Sequence, residues 1–262
     1  EKTLIVFDEI QLCERALTSL KYFCEDAPEY HVIVAGSLLG VAVNRAKYSF
    51  PVGKVDMKTL YPMDMEEFLL ALGEENLVNQ IRQSFDDNTP LPSALHDAAM
   101  QYYRQYLVVG GMPECVMQFV QTQDYILVRH TQDTILASYL NDMSKYNNLN
   151  EIKKTRLAYD NITVQLSKRN TRFQYKLIKK GGRAAEFENA IEWLCLSGIV
   201  SQVHKVEQVK KPLENYRDID AFKIYVSDLG LLCAKKDLMA NDILYMVEEL
   251  NDFKGGMAEN YV

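Results

Sequence analysis

Two adjacent carboxylates, Asp8 and Glu9, follow directly on the apolar run Leu4-Ile5-Val6-Phe7. A run of aliphatic, β-branched and aromatic residues of this length reads as a strand buried on both faces, as in the middle of a parallel sheet. Open α/β sheets bind ligands at the carboxyl ends of their strands, so two acids at that point would meet whatever is bound there. One carboxylate can hold Mg²⁺, usually through its water shell, while its neighbour orients an attacking water. The same pair can also serve as plain turn or N-cap residues. A metal nuclease built on these two acids is a weaker reading, because neighbouring residues on one strand point to opposite faces and no motif supplies further acids.

The elements that would position the pair follow in order. Leu17, Leu20, Phe23 and Cys24 form the apolar face of a helix over Arg15 to Cys24, which Pro28 ends. His31 to Ala35 is a second apolar run, and the connection has the length of a right-handed crossover between parallel strands. It ends in Gly36-Ser37, so a hydroxyl arrives at the same sheet edge as Asp8 and Glu9. Ser37 suits either a contact to a terminal phosphate or a helix N-cap, and the two are compatible. A hydrophobic run closed by Asp-Glu is the Walker-B arrangement of P-loop nucleoside triphosphatases. Alternation over Val55 to Leu60 predicts a third, half-exposed strand. Asp64 with Glu66 and Glu67 predicts a capped helix start.

The chain of 262 residues is 48% hydrophobic, enough for one large core or two smaller ones. Its net charge of −7 argues against indiscriminate nucleic-acid binding, although an acidic average can hide a basic module. Cys13, Cys24, Cys115, Cys195 and Cys233 are widely spaced, which suits a reducing cytoplasm without structural zinc. No apolar run reaches the length of a membrane span. Both ends, at Glu1 and Val262, look cut from a longer chain.

From Glu66 to about Tyr146 the pattern is helical, broken at Pro90 and Pro92 and again at Gly110-Gly111-Met112-Pro113. Tyr102, Tyr103 and Tyr106 share a helical face that could stack bases or, more commonly, pack helices. Charge then reverses: between Glu151 and Arg183 ten basic residues stand against two acidic ones. A helix from about Ile152 to Leu166, a short one near Tyr175, a turn at Gly181-Gly182 and a helix from Ala184 to Leu196 make a helix-turn-helix order. Strands at Ile199 to Val206 and Phe222 to Val226, with Pro212 in their loop, would form a wing. The second helix carries Glu186, Glu188 and Glu192, so any phosphate contact falls to Lys168, Arg169, Arg172, Lys176, Lys179 and Lys180 on the preceding segments. Duplex DNA, RNA or another protein all remain open as partners of such a module. A last amphipathic helix over Leu238 to Leu250 and a hinge at Gly255-Gly256 complete the chain.

The phrases LIVFDEIQ, VIVAGSLLG, SFPVGKV and LYPMDMEEFL resemble, in this order, a family of prokaryotic AAA-type ATPases. VVGGMPECV, RAAEFENAIEWLCLSGIV, FKIYVSDLGLL and GGMAENYV extend the resemblance over nearly the whole chain. It implies an α/β fold with part of a parallel P-loop NTPase sheet, its C-terminal half, followed by a helical lid and a winged-helix domain. The implied parts are 1–72 for the ATPase core, 73–148 for the lid, 149–235 for the winged helix, and 236–262 for a linker helix entering a restriction-endonuclease-like domain. It also implies ATP and Mg²⁺ as cofactors, with Asp8 as metal ligand, Glu9 as catalytic residue and Ser37 at the terminal phosphate. Glu259 would open the nuclease-like part. Arg45, Arg104 and Arg129 are open candidates for an arginine finger, and oligomers are possible. No G-x-x-x-x-G-K-[ST] occurs in these residues; Gly53-Lys54 lacks the following hydroxyl and reads as a turn. The chain therefore reads as an internal fragment without its P-loop.

Overall fold

The first apolar run forms β1 (Leu4–Phe7) and the second forms β2 (His31–Val34). They pair in parallel, with Leu4 opposite His31 and Phe7 opposite Val34. The crossover carries α1 (Glu14–Asp26), whose buried Leu17 and Leu20 meet Ile10 under Phe7, Val32 and Val34. This computed structural model describes residues 3–36, 51, 53–145, 149–168, 170 and 172–262. The chain forms two units: Glu1–Leu60 with Glu192–Ile199, and Tyr61–Ile191 with Val200–Val262.

Two expectations for the first unit are corrected. β1 is not buried on both faces: only one face packs on α1, while Leu4 and Val6 are 54% and 60% exposed. Apolar character fixes what a strand can bury, not how many neighbours cover it. Val55 to Leu60 forms no strand; it is irregular and almost wholly exposed, because its alternation finds no described strand to pair with. Gly53 adopts φ 76° in a turn, as expected, and Lys54 pairs with Glu25 at 3.1 Å.

In the second unit Asp64 opens α2 (Met65–Ala71) through a capping box: its carboxylate accepts from the Glu67 N–H at 2.9 Å, and Glu67 accepts from the Asp64 N–H at 3.0 Å. Such a cap contributes about 1 kcal/mol. The helices α3 (Glu75–Asp86), α4 (Ser93–Val109), α5 (Pro113–Thr122) and α6 (Tyr125–Lys145) follow. The tyrosines of α4 pack rather than project. Tyr106 donates to the Met63 carbonyl at 2.7 Å, Tyr102 donates to Glu74, and Tyr103 lies edge-on to Tyr261 at 5.0 Å.

Next come α7 (Leu149–Ser167), α8 (Tyr175–Ile178) and α9 (Ala184–Leu196). The antiparallel hairpin of β3 (Val200–Val206) and β4 (Arg217–Val226) follows. Asn161 on α7 donates to the Leu177 carbonyl at 2.8 Å, and Gln165 accepts from the Gln174 N–H at 2.7 Å, so polar side chains fasten α8 to α7. Phe173 stacks on Phe222 at 5.7 Å and joins the same segment to the hairpin.

The expected helix over Leu238 to Leu250 is instead interrupted. After α10 (Leu229–Lys235) come α11 (Ala240–Leu244), a short 3₁₀ turn and α12 (Asn251–Tyr261). Met246 takes φ 48°, a left-handed turn with no glycine to announce it. Gly255 and Gly256 are no hinge; both lie inside α12, and a Cβ at Gly256 would stand 2.8 Å from the Leu166 carbonyl oxygen. The glycine admits α12 close against α7.

At the centre of this unit the turn between α4 and α5 meets the start of α10. Asp228, 3% exposed, caps α10 by accepting from the Leu231 N–H at 2.8 Å and also accepts from the Gly111 N–H at 2.6 Å. Burial pushes its carboxyl up, while the N–H groups of Leu231, Gly111, Gly230 and Met112 pull it down. Gln132 from α6, also buried, donates to the Val108 and Val109 carbonyls at 2.8 and 3.1 Å and satisfies the end of α4. Only glycine fits here: a Cβ at Gly111 would lie 1.9 Å from the Met63 carbonyl oxygen, and one at Gly230 would lie 2.4 Å from that of Val109.

Replacing Gly111 by Ala should therefore lower the unfolding free energy by about 3 kcal/mol. Asp228→Ala, which strands buried N–H donors, should cost about 3–5 kcal/mol. Urea unfolding followed by circular dichroism measures both, and a loss below about 1 kcal/mol at either position would mean the contact does not hold the unit together. The cysteines offer a second check. Burial pushes the Cys115 and Cys233 thiols up to about 12 and Cys195 up to about 11, whereas Cys13 and Cys24 are exposed. Because the thiolate is the nucleophile, an alkylating reagent at pH 8 should label Cys13 and Cys24 in the native protein and the other three only on unfolding, as read by peptide mass spectrometry.

Candidate functional site

The carboxyl edge of β1 is shaped by a sharp change of direction. Asp8 follows the strand, and Glu9 takes the left-handed conformation at φ 48°, ψ 44°. Its N–H donates to Asp8 Oδ1 at 2.9 Å, so the first carboxylate braces the turn that presents the second. The chain then enters a 3₁₀ turn over Ile10–Leu12. Ile10, 2% exposed, plugs into the core with Leu17 and Leu20, and its N–H donates to the Ala35 carbonyl at 3.1 Å. The Ala35 N–H donates in turn to the Phe7 carbonyl at 2.8 Å. The acidic pair is thus tied to the end of β2, where Ala35-Gly36 lead toward Ser37. Ser37 itself, with Arg45, lies outside the described residues.

Both carboxylates are exposed at this edge. The left-handed turn removes the objection that adjacent residues must face apart, since Glu9 is no longer in strand geometry. Gln11 was not given a role from sequence, yet its Nε2 donates to Glu9 Oε2. The signal was present in the phrase Asp8-Glu9-Ile10-Gln11, but the contact depends on a backbone turn that residue types do not reveal.

A divalent cation would find one or two carboxylate oxygens here and little else. Among the described residues no group of three or more His, Cys, Asp and Glu side chains could hold a metal ion. That donor set fits Mg²⁺, which keeps most of its waters and takes further oxygens from bound phosphates. It does not fit a closed, all-protein metal cage.

The cationic segment belongs to the other unit. Lys168, Arg172, Lys176 and Lys180 are exposed and form no ion pair among the described residues, whereas Lys179 pairs with Glu186 at 2.8 Å. Arg169 lies outside the described residues. Glu188 and Glu192 are exposed along α9. Arg129 binds the Leu238 carbonyl and lies 3.6 Å from Asp237, which commits it to a structural role at the start of α11. Glu259 accepts from Lys223 and from the Tyr225 hydroxyl, the latter at 3.0 Å, so it fastens α12 to β4. Asp228 and Gln132 were also not singled out from sequence, although an Asp one residue before a helical run is a legible N-cap.

Residues 1–69 match the family model of the AAA domain. Residues 100–242 match the model described as Domain of unknown function (DUF8612), and the chain belongs to that family. Among solved structures the Walker-type ATPase Paby2304 of Pyrococcus abyssi shares the fold at a TM-score of 0.52 and 13% identity, over 89% of this chain. The chain spans 63% of the length of that structure. No curated protein matches it. No helix among the described residues is long and apolar enough to cross a membrane.

Proposed function

We propose that these residues are the Walker-B half of an ATP-hydrolysing AAA-type ATPase, coupled to a winged-helix module. The observation that carries the reading is the exposed Asp8-Glu9 pair at the carboxyl edge of β1, tied through Ile10 to the end of the parallel strand β2. Asp8 would hold Mg²⁺ through its water shell, and Glu9 would polarise the attacking water, with Ser37 close to the terminal phosphate. The cation supplies charge neutralisation on the phosphates when bound. The phosphate cradle that such a site needs, a P-loop with its Lys and Ser or Thr, is not among these residues. The AAA-domain match over residues 1–69 and the shared fold with a Walker-type ATPase support the assignment.

In this reading α7, α8 and α9 are the helices of the winged helix, and β3 with β4 is the wing. A second function, binding duplex DNA through Lys168, Arg169, Arg172, Lys176, Lys179 and Lys180, is favoured by the four exposed cations of this set that have no acidic partner among the described residues. The acids of α9 keep that helix itself away from phosphates. Segment 236–262 would then lead toward a nuclease-like domain.

Two measurements test these readings. A full chain that includes the P-loop should hydrolyse ATP, with Glu9→Gln lowering kcat about 10²-fold or more and Asp8→Ala abolishing Mg²⁺-dependent turnover. Residues 1–262 alone should show no turnover; absence of hydrolysis by the full chain would falsify the ATPase assignment, and hydrolysis that survives Glu9→Gln would remove Glu9 from the catalytic role. For the second reading, affinity for duplex DNA should fall with salt with a log–log slope of about −3 to −4, as four phosphate contacts require, and flatten when Lys176 and Lys180 become Ala. A salt-independent affinity rules out phosphate contact.

A further inference from the structure

Gln11 touches the proposed catalytic carboxylate in a way that the fold does not require. The left-handed turn at Glu9 and the 3₁₀ turn after it bring the Gln11 side chain back over its neighbour, and Nε2 donates to Glu9 Oε2. The other end of the amide, Oε1, is buried and has no hydrogen-bond donor among the described residues. Reversing the amide would set Oε1 against the carboxylate, so the bond to Glu9 fixes its orientation. An amide recruited to stabilise the turn would have both ends satisfied, because a buried acceptor without a donor is a cost. Stability of the turn is already supplied elsewhere, by the Glu9 N–H on Asp8 and the Ile10 N–H on Ala35.

We infer that Gln11 is a positioning residue for Glu9: its Nε2 holds the carboxylate in the orientation from which Glu9 addresses the attacking water. The inference rests on the ATPase reading above. Gln11 makes no contact with substrate in this role; it acts only through the Glu9 side chain. Holding a reactive group in one rotamer removes orientational freedom that would otherwise be lost on reaching the transition state. Shortening or blunting the side chain should therefore slow turnover without weakening nucleotide binding.

The first test needs no nucleotide. In this chain, ¹⁵N NMR should place the Gln11 side-chain amide away from the position of a solvent-exposed glutamine, and Glu9→Ala should return it there while leaving the backbone amides of β1 and β2 in place. A resonance unmoved by Glu9→Ala overturns the inference. The second test uses the full, hydrolysing chain. Gln11→Leu should lower kcat about ten- to hundredfold with the KM for ATP within about twofold of wild type. Gln11→Glu, which sets two carboxylates face to face, should lower kcat at least as far. An unchanged kcat would refute positioning, and an increased one would make Gln11 a brake instead. If the full chain does not hydrolyse ATP, the ATPase reading itself fails; if Glu9→Gln leaves hydrolysis intact, the role of Glu9 falls and that of Gln11 with it; if Glu9→Gln is inactive and Gln11→Leu is fully active, only the role of Gln11 falls. Should Gln11→Leu not fold, the NMR comparison of wild type with Glu9→Ala still decides.

Discussion

A single buried carboxylate organises the larger unit. Asp228 sits where the end of α4, the start of α5 and the start of α10 converge, and it is the acceptor for backbone N–H groups from two turns more than a hundred residues apart in sequence. Two helix starts and a glycine turn would otherwise place several unsatisfied donors in the interior. Gathering them on one anion turns a liability into a fixed junction, and the glycines at 110, 111 and 230 exist to let the backbones come that close. In the same unit Phe68 packs against Tyr106 and Phe119.

Much of this was legible in the residues. Asp64 with Glu66 and Glu67 spelled a capped helix start, Gly110-Gly111 followed by Pro113 spelled a helix end and a new start, and α9 runs over the same residues that its pattern indicated. What was not legible depends on contacts or on backbone conformations that residue types do not encode. The alternation over Val55 to Leu60 is a strand pattern without a described strand beside it. Met246 enters the left-handed region without being glycine and so breaks a helix that looked continuous. Gly255-Gly256 looked like a hinge because glycine has several uses, and only the approach of Leu166 shows which one applies.

The acidic pair shows the same division at finer scale. Position at a strand end could be read from the run of apolar residues before it, since that run must form β1 and β1 must stop. The way the two carboxylates are presented could not, because it hangs on the φ of Glu9. A residue type constrains which conformations are costly; it does not say which cost the rest of the chain will bear.

Near the C-terminal end, Asn260 donates its amide to the Val226 carbonyl and accepts from the Val226 N–H, both at 2.9 Å. It addresses the main chain of β4, and no side chain there enters the bond. This bond is therefore insulated from drift in the hairpin's own residues, as a staple through a page ignores what is printed on it, whereas the Glu259 contacts of the same helix need the Lys223 and Tyr225 side chains. The clamp lies at the Val200–Val226 end of the ribbon, the end opposite the Val206–Arg217 pair where the hairpin turns, so the last helix holds the strands where they enter and leave the hairpin.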